Sequence, residues 1–408
     1  MKLTLCIYTS MRICVIGSGI IGLTLCLEIK KRYPKIYIDL IDENSIPSNG
    51  TSIRNSGVLH AGLYYEPGSL KAKFCQEGRK LLLNYINNNH LPLLNCGKIL
   101  VPFNDIDYKR MSIIKRNAEL NNCTVELINY QRAFNIQPGI IERDNYLWSP
   151  LTKVFSPKSI LCSLYNKLKE LDVNFIKDKV SSIDGCKGSV TRFRAKTSLY
   201  DYIFNVSGPG SLALCQSDLN SPNNLILLPI LGQYGFQKTS VKLKTNLYPV
   251  PDPELPFLGV HITPTTDAQI LVGPNAVPSL SKYYDQFSIS DLLEIPSRLT
   301  TLTLMMLGNY NNFREHAASE FSIRTNLKFQ SRAKAFFDPR ISSGIQVNMT
   351  PERYGIRPQL VNKSNMKFFD DFLVNRSKKA IHVVNAISPA FTSSMSIANF
   401  LCDSIFNQ

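Results

Sequence analysis

A mixed α/β (α+β) fold is predicted by three features of the 408-residue chain. The first forty-two residues read as strand, glycine-rich turn, helix and strand; Leu225 to Gly273 is rich in strand formers; and Ile289 to Phe337 carries apolar residues at helical spacing. The length allows one large interleaved unit or two domains, and 44% hydrophobic content permits a proper core.

Arg12 to Ile16, RICVI, is short, β-branched and stopped by glycine, which marks a buried parallel strand. Ile20 to Lys31 has helical length and ends before Tyr33-Pro34, since the residue ahead of a proline is pushed out of helical geometry. Ile36, Ile38 and Leu40 alternate into a second strand that finishes at Asp42, completing a βαβ unit. Asn44 to Gly68 is a long polar, glycine-rich loop, and such loops inside a compact domain are usually functional. Beyond it the pattern predicts an amphipathic helix over Gly78 to Asn88, a strand over Gly97 to Val101, a helix over Ile160 to Leu171 and a short strand over Val173 to Ile176. Asp201 to Val206 is a buried strand ending at Ser207-Gly208-Pro209-Gly210. The strand-rich stretch is punctuated at Pro251-Asp252-Pro253, strands return at Phe368 to Val374 and Ala380 to Val384, and a last helix from about Thr392 to Phe406 closes the chain.

The net charge of +15 and a pI near 9.3 suit an anionic substrate, a phosphate-bearing cofactor, an acidic membrane surface or nucleic acid. The basic residues are scattered and no nucleic-acid-binding motif accompanies them, so no nucleic-acid partner is expected. Ten cysteines without a C-x-x-C pair imply free thiols in a reducing compartment, and five histidines make a metal centre improbable. Met1 to Ile29 is apolar, but Gly17, Gly19, Gly22, Arg12 and Glu28 argue against a signal peptide or membrane span. The residues ahead of Met11 are too short and too poorly charged for a transit peptide. A cytoplasmic site, peripheral on a membrane, is expected, or a mitochondrial one in a eukaryote.

Gly17-Ser18-Gly19-Ile20-Ile21-Gly22 is G-x-G-x-x-G, a weak signal alone. Here it follows a strand, opens a helix and is followed by an acid, Asp42, twenty residues past the third glycine. Gly17 allows the tight turn, Gly19 the approach of backbone to a pyrophosphate, and Gly22 close packing of helix on strand; the helix N-terminus faces the phosphates. Asp42 is placed to accept from the adenosine ribose hydroxyls, with Glu43 as the fallback. The fingerprint does not by itself separate FAD from NAD. The loop after Asp42 does, because a nicotinamide-binding domain normally runs on into further strands and helices.

Residues 54–71, RNSGVLHAGLYYEPGSLK, pack three glycines, a histidine, two tyrosines and two cations into one segment. The glycines let backbone approach something flat or bulky, and the other groups supply proton transfer and aromatic edges. With CGKILV (96–101), PDPELPFLGVHIT (251–263), GPNAV (273–277), GIRPQ (355–359) and NAISPAFTSS (385–394), the segment NSGVLHAGLYYEPGSLKAKFC (55–75) resembles the L-2-hydroxyglutarate dehydrogenase (oxidase) family. That family is a branch of the FAD-dependent oxidoreductases that includes D-amino-acid oxidase and glycine oxidase.

The resemblance implies a Rossmann-like FAD-binding domain assembled from 11–90, 150–222 and 345–408, with a mostly antiparallel substrate domain from 91–149 and 223–344. It implies non-covalent FAD held by Gly17, Gly19, Ile20, Ile21, Gly22, Asp42 and Glu43, and by Ser52, Asn55, Ser56, Gly57 and Val58 beside the isoalloxazine. Val180 would meet the adenine, and Ser207 and Gly208 the dinucleotide edge. Ala390, Thr392 and Ser393 would stand where the last helix stabilises charge on the reduced ring. His60 is the candidate base for the hydroxyl proton, as a neutral imidazole suits that task, although a purely hydrogen-bonding role stays open. Arg357 is the candidate anchor for substrate carboxylate or flavin, its planar fork matching a carboxylate. Lys71 and His261 are further catalytic candidates; Tyr64 and Tyr65 read as packing or orienting groups.

The chain departs from the family pattern in places. Pro229-Ile230-Leu231-Gly232-Gln233-Tyr234 replaces an expected Pro-Phe-Arg-Gly-Glu/Asp-Tyr, Thr265 or its neighbours replace an arginine, Ala390 stands where glycine is common, and Arg54 stands where a histidine is expected. The function implied is FAD-dependent oxidation of an L-2-hydroxy acid, L-2-hydroxyglutarate to 2-oxoglutarate, with hydride passing to flavin N5 and electrons on to quinone or oxygen. The lost cations keep open an amine or amino-acid oxidase of the same fold. A third reading is a catalytically weakened flavoprotein lying on anionic lipid through Ile289 to Phe337, with Arg298, Lys328, Arg332 and Lys334.

Overall fold

The computed structural model describes residues 11–44, 47, 50–195, 197–219, 224–238, 241–252, 258–282, 289–310, 313–322 and 325–406. The ten N-terminal residues, 253–257 of the PDPELPFLGVHIT motif and short pieces of 45–49 and 289–337 lie outside this set.

The smaller of two main sheets has six strands in the order Val374–Arg376, Ala380–Val383, Tyr202–Asn205, Arg12–Ile16, Tyr37–Asp42, Asn174–Lys177. All neighbours are parallel except Val374–Arg376, which runs against Ala380–Val383. Ile13 and Val15 point into a core shared with the helices Ile20–Arg32, Pro157–Glu170 and Ala390–Phe406, while Cys14 and Ile16 join Val180, Ile183 and Val190 on the opposite face. Burial on both faces is why this strand carries no alternating polar residue after Arg12. Each such side chain contributes about 1.5–3 kcal/mol of transfer free energy, so the strand order is set by its middle members.

The larger sheet has ten strands and is mostly antiparallel. Its longest pair, Leu225–Lys238 and Gln346–Asn362, is the backbone of the second unit, and the helix Asn326–Lys334 packs its Phe329 and Ala333 onto this sheet's core with Phe336 and Phe337. Gln346–Asn362 was not foreseen as a strand, and the sequence-based division puts it with the FAD unit; its hydrogen bonds are to the larger sheet. Two prolines obscured it. Pro358 lies directly opposite Pro229, so both missing donors fall at one register position and the ladder continues on either side.

The expected helices are present; Ile20–Arg32 starts where expected and three others start earlier. The one foreseen from Gly78 begins at Leu70, where Ser69 caps it by accepting from Ala72 N and Asp371 accepts from the amides of Leu70 and Lys71. The last helix begins at Ala390, two residues ahead of expectation. The nine described cysteines are free thiols, and among the described residues no cluster suits a metal ion and no helix is long and apolar enough to cross a membrane.

Candidate functional site

A cleft of about 1110 Å³ opens between the two sheets, at the carboxyl ends of Arg12–Ile16 and Tyr37–Asp42, where open α/β sheets place their ligands. One wall comes from the fingerprint turn, Asp42 and Glu43, Ser52 to Ser56, Val180 and Ser207 to Gly210; the other carries Gly232, Tyr234, Tyr248, His261, Tyr354 and Arg357.

Of the residues singled out above, Gly17, Gly19, Ile20, Ile21, Asp42, Glu43, Ser52, Asn55, Ser56, Val180, Ser207, Gly208, Ala390, Arg357, His60 and His261 line the cleft. Gly22, Gly57, Val58, Thr392, Ser393 and Lys71 do not, and each has an internal contact that accounts for it. Gly22 presses on the turn, where an added Cβ would come 1.9 Å from Gly17 O. Gly57 has φ +78° and receives the Asn55 carboxamide at its amide, 2.9 Å, while Val58 pairs with Val154. Thr392 Oγ1 accepts from the His60 amide at 3.1 Å, so it braces the loop from below. Ser393 meets Gly78 where two helices touch, too closely for any Cβ there. Lys71 is buried and ion-paired to Asp370 at 2.6 Å.

The fingerprint end fits a dinucleotide. The helix Ile20–Arg32 has no acid in its first turn and no side-chain cap from Gly19, leaving amide groups and the positive end of its dipole toward the cleft. Ser52 Oγ accepts from Ile20 N at 3.0 Å and ties the loop to the helix start. A Cβ on Gly17 would sit 2.6 Å from Val206 O, so the turn admits glycine only. Asp42 accepts from Ser18 N at 2.7 Å, Ser18 Oγ at 2.9 Å and Asn44 N at 2.9 Å; a carboxylate has about four lone-pair sites, so it keeps capacity for one ribose hydroxyl.

The opposite edge of this wall is held by a buried chain of hydrogen bonds. Asn205 Oδ1 accepts from Ser207 Oγ at 2.7 Å, and its amide reaches His382 Nδ1 at 3.0 Å, which leaves His382 Nε2–H to donate to Asp218 at 2.9 Å. The Ser207–Gly210 turn is thereby anchored three residues deep into the sheet.

At the other end, basic groups gather. His60 is buried, its Nδ1 has no hydrogen-bond partner, and burial together with the charges of Lys98, His261 and Arg357 holds its pKa well below the usual 6.5. His261 stacks on Tyr248, centroids 3.8 Å apart at 15°, with Nδ1 2.9 Å from Gly259 O; burial is the main reason its pKa falls to about 3. Both imidazoles are neutral at pH 7. Arg357 pairs in register with Ile230, and burial lowers its pKa, but a guanidinium stays charged at neutral pH. Sequence reasoning noted Arg54 only as a departure from the family pattern and gave Lys98 no role; the Arg54 guanidinium lies 4.0 Å over the Tyr354 ring on the cleft wall, and Lys98 is 1% exposed. Arg54 opens the glycine-rich segment and Lys98 is the one charge in an otherwise apolar strand, signals that were there to be read.

The sequence pattern of the family described as "FAD dependent oxidoreductase" matches residues 12–404. The L-2-hydroxyglutarate dehydrogenase of Escherichia coli strain K12 is 30% identical over 393 residues, covering 94% of this chain and 90% of that protein. The mitochondrial L-2-hydroxyglutarate dehydrogenase of Caenorhabditis briggsae is 29% identical over 410 residues, covering 95% and 91%. Among solved structures, the FAD-bound L-alpha-glycerophosphate oxidase of Mycoplasma pneumoniae superposes with a TM-score of 0.71 at 18% identity, covering 98% of this chain and 95% of that one. Glycine oxidase from Geobacillus kaustophilus gives 0.70 at 13% identity, covering 97% and 94%. These likenesses over nearly the whole length agree with the glycine turn, the helix start that opens on the cleft and the two-sheet arrangement: the chain belongs to the FAD-dependent oxidoreductase family, with its sequence similarity running to the L-2-hydroxyglutarate dehydrogenases.

Proposed function

We propose that this FAD-dependent oxidoreductase oxidises the CH–OH carbon of an L-2-hydroxy acid, with L-2-hydroxyglutarate, after which its relatives are named, as substrate and 2-oxoglutarate as product. The observation that carries this reading is the convergence of neutral His60 and His261 with charged Arg357 and Arg54 on the cleft that the fingerprint enters. Bound FAD supplies the acceptor for the hydride leaving C2. Arg357 holds a substrate carboxylate, and His60, which lines the cleft, takes the hydroxyl proton. The electrons then leave to an acceptor such as quinone or oxygen. In this reading the six-stranded sheet is the cofactor domain and the ten-stranded sheet, with 346–362, the substrate domain.

The departures from the family pattern bear less on the substrate than their chemistry implied. Ile230, Gly232 and Tyr234 line the cleft, so the intervening Leu231 and Gln233 face away from it by strand alternation. Thr265 Oγ1 closes a tight turn with Gln269 and is not on the lining. The case for an amine substrate therefore loses its main support. Anaerobic addition of L-2-hydroxyglutarate is expected to bleach the flavin absorbance of the purified holoprotein, and the D isomer is not; bleaching by glycine or sarcosine instead would reverse the choice.

Peripheral membrane contact also keeps a basis, with a changed set of residues. Arg298 is 0% exposed and paired to Asp291 and Glu294, so it is no surface cation. Leu293 and Leu307 on the helix Ile289–Gly308 are 78% and 72% exposed, and the helix Asn326–Lys334 exposes Leu327, Lys328 and Arg332. Exposed leucines and cations on a chain of charge +15 match an anionic bilayer. The protein is expected to sediment with phosphatidylserine vesicles at low salt and the double variant Leu293→Glu, Leu307→Glu to stay in solution; equal sedimentation of the two would remove this contact.

A further inference from the structure

Lys98 stands in the strand Lys98–Val101, level with Asn246 of the parallel neighbour Asn246–Pro249, and does not reach the cleft. It is 1% exposed and makes no ion pair among the described residues; its Nζ donates to Tyr64 Oη at 3.2 Å. The same Nζ lies 4.2 Å from the centroid of the Tyr248 ring, and His261 lies 3.8 Å from that centroid, nearly parallel. Two groups so close to one centroid exclude each other from a single face, so the ring is clamped between cation and imidazole. A lysine buried without a carboxylate is costly, and chains keep such a group where its field has work to do.

We propose that Lys98 is the positioning residue of the histidine wall: it fixes Tyr248 against His261 and, through its charge, keeps His60 and His261 ready to accept a proton. The clamp orients His261, whose Nδ1–H is committed to Gly259 O, with Nε2 left as an acceptor. The charge acts on both histidines, because Lys98 is among the groups that lower each of them. Facing this cluster from the packed elements are Tyr64, Tyr248, Cys75, Cys96, Cys123 and Arg357. Arg79 acts on Cys75 and Cys123 and Asp370 on Arg357, but no anion is among the groups that act on His60 or His261. Burial brings the pKa of Lys98 itself to about 7, which means that the cation is present through the acidic range in which a histidine would otherwise protonate.

The inference rests on the proposed role of the histidines in proton transfer, so its test is read without turnover. In FAD-loaded protein with ring-labelled histidine, the resonances of His60 and His261, assigned from His60→Gln and His261→Gln, are titrated by NMR. In Lys98→Met, which keeps chain length and removes charge, both midpoints are expected to rise by about one pH unit. Lys98→Arg is expected to leave them near the native values. Unmoved midpoints in a folded Lys98→Met protein would overturn the proposal. If that variant does not fold, Lys98→Gln, which also removes the charge, is expected to shift both midpoints upward as far, and no shift there would overturn it equally. A histidine wall that titrates as described beside a His60→Ala enzyme of normal turnover would sink the catalytic reading and leave the electrostatic one standing.

Discussion

His60→Ala is expected to lower turnover by about 10²- to 10⁴-fold while the protein still binds FAD, the range for loss of a positioned general base. The reasoning runs from the loop upward. Glycines at 57 and 62, both at positive φ, let residues 55–62 press into the cleft, and Thr392 fixes the His60 amide from the last helix. The imidazole is then buried with Nδ1 unpartnered, in a neighbourhood of cations that discourages its protonation. A base must be neutral before it can accept, so activity should hold through neutral pH and fall only well below 6.5, where His60 takes up its own proton. A fall of less than tenfold, with an unchanged acid limb, would assign His60 to the loop and not to the chemistry. Stability follows the same sign. His60, His261 and His382 all have lowered pKa values in the fold, so on acidification the unfolded chain binds their protons first and stability declines as pH drops below about 6.5.

How much of this was legible beforehand divides along sequence distance. The fingerprint, its strand and its helix are contiguous, and each glycine there has a local steric reason; Arg12–Ile16 and Ile20–Arg32 appear where expected. The site's second wall is built from residues that meet only through the ten-stranded sheet, Tyr248, His261 and Arg357 among them. Their proximity depends on the register of Leu225–Lys238 against Gln346–Asn362, and register is invisible in a segment with two prolines and no alternation. Lys71 shows the converse. A lysine at a helix start looks solvated, yet Asp370 and Asp371, some three hundred residues later, bury and pair it. Thr392 and Ser393 were read as the tip of the last helix; with the helix starting at Ala390 they are its third and fourth residues, and Ala390 and Phe391 take the cleft edge.

Arg357→Met is expected to reduce kcat/KM by about 10²- to 10³-fold, with most of the loss in KM, because truncating one member of a buried charge pair costs about 2–5 kcal/mol. Position 357 lies opposite Ile230, another lining residue, on the pair of strands that forms the floor of the larger sheet, so the guanidinium is held by rigid backbone and not by a mobile loop. Its electrostatic surroundings include Tyr234, Asp370 and Tyr65, and Asp370 is also engaged by Lys71. Because Arg357 lines the cleft, a ligand carboxylate entering there can meet its charge. Lys in its place should recover little, since an ammonium cannot offer two parallel N–H bonds to a planar carboxylate. The comparison that decides is among 2-hydroxy acids of different charge: if Arg357 binds a substrate carboxylate, Arg357→Met loses most of the preference for L-2-hydroxyglutarate over an uncharged secondary alcohol. If the variant instead keeps KM and that preference but releases FAD on dilution, Arg357 holds the flavin, and Arg54, stacked on Tyr354, becomes the cation to which the substrate carboxylate must go.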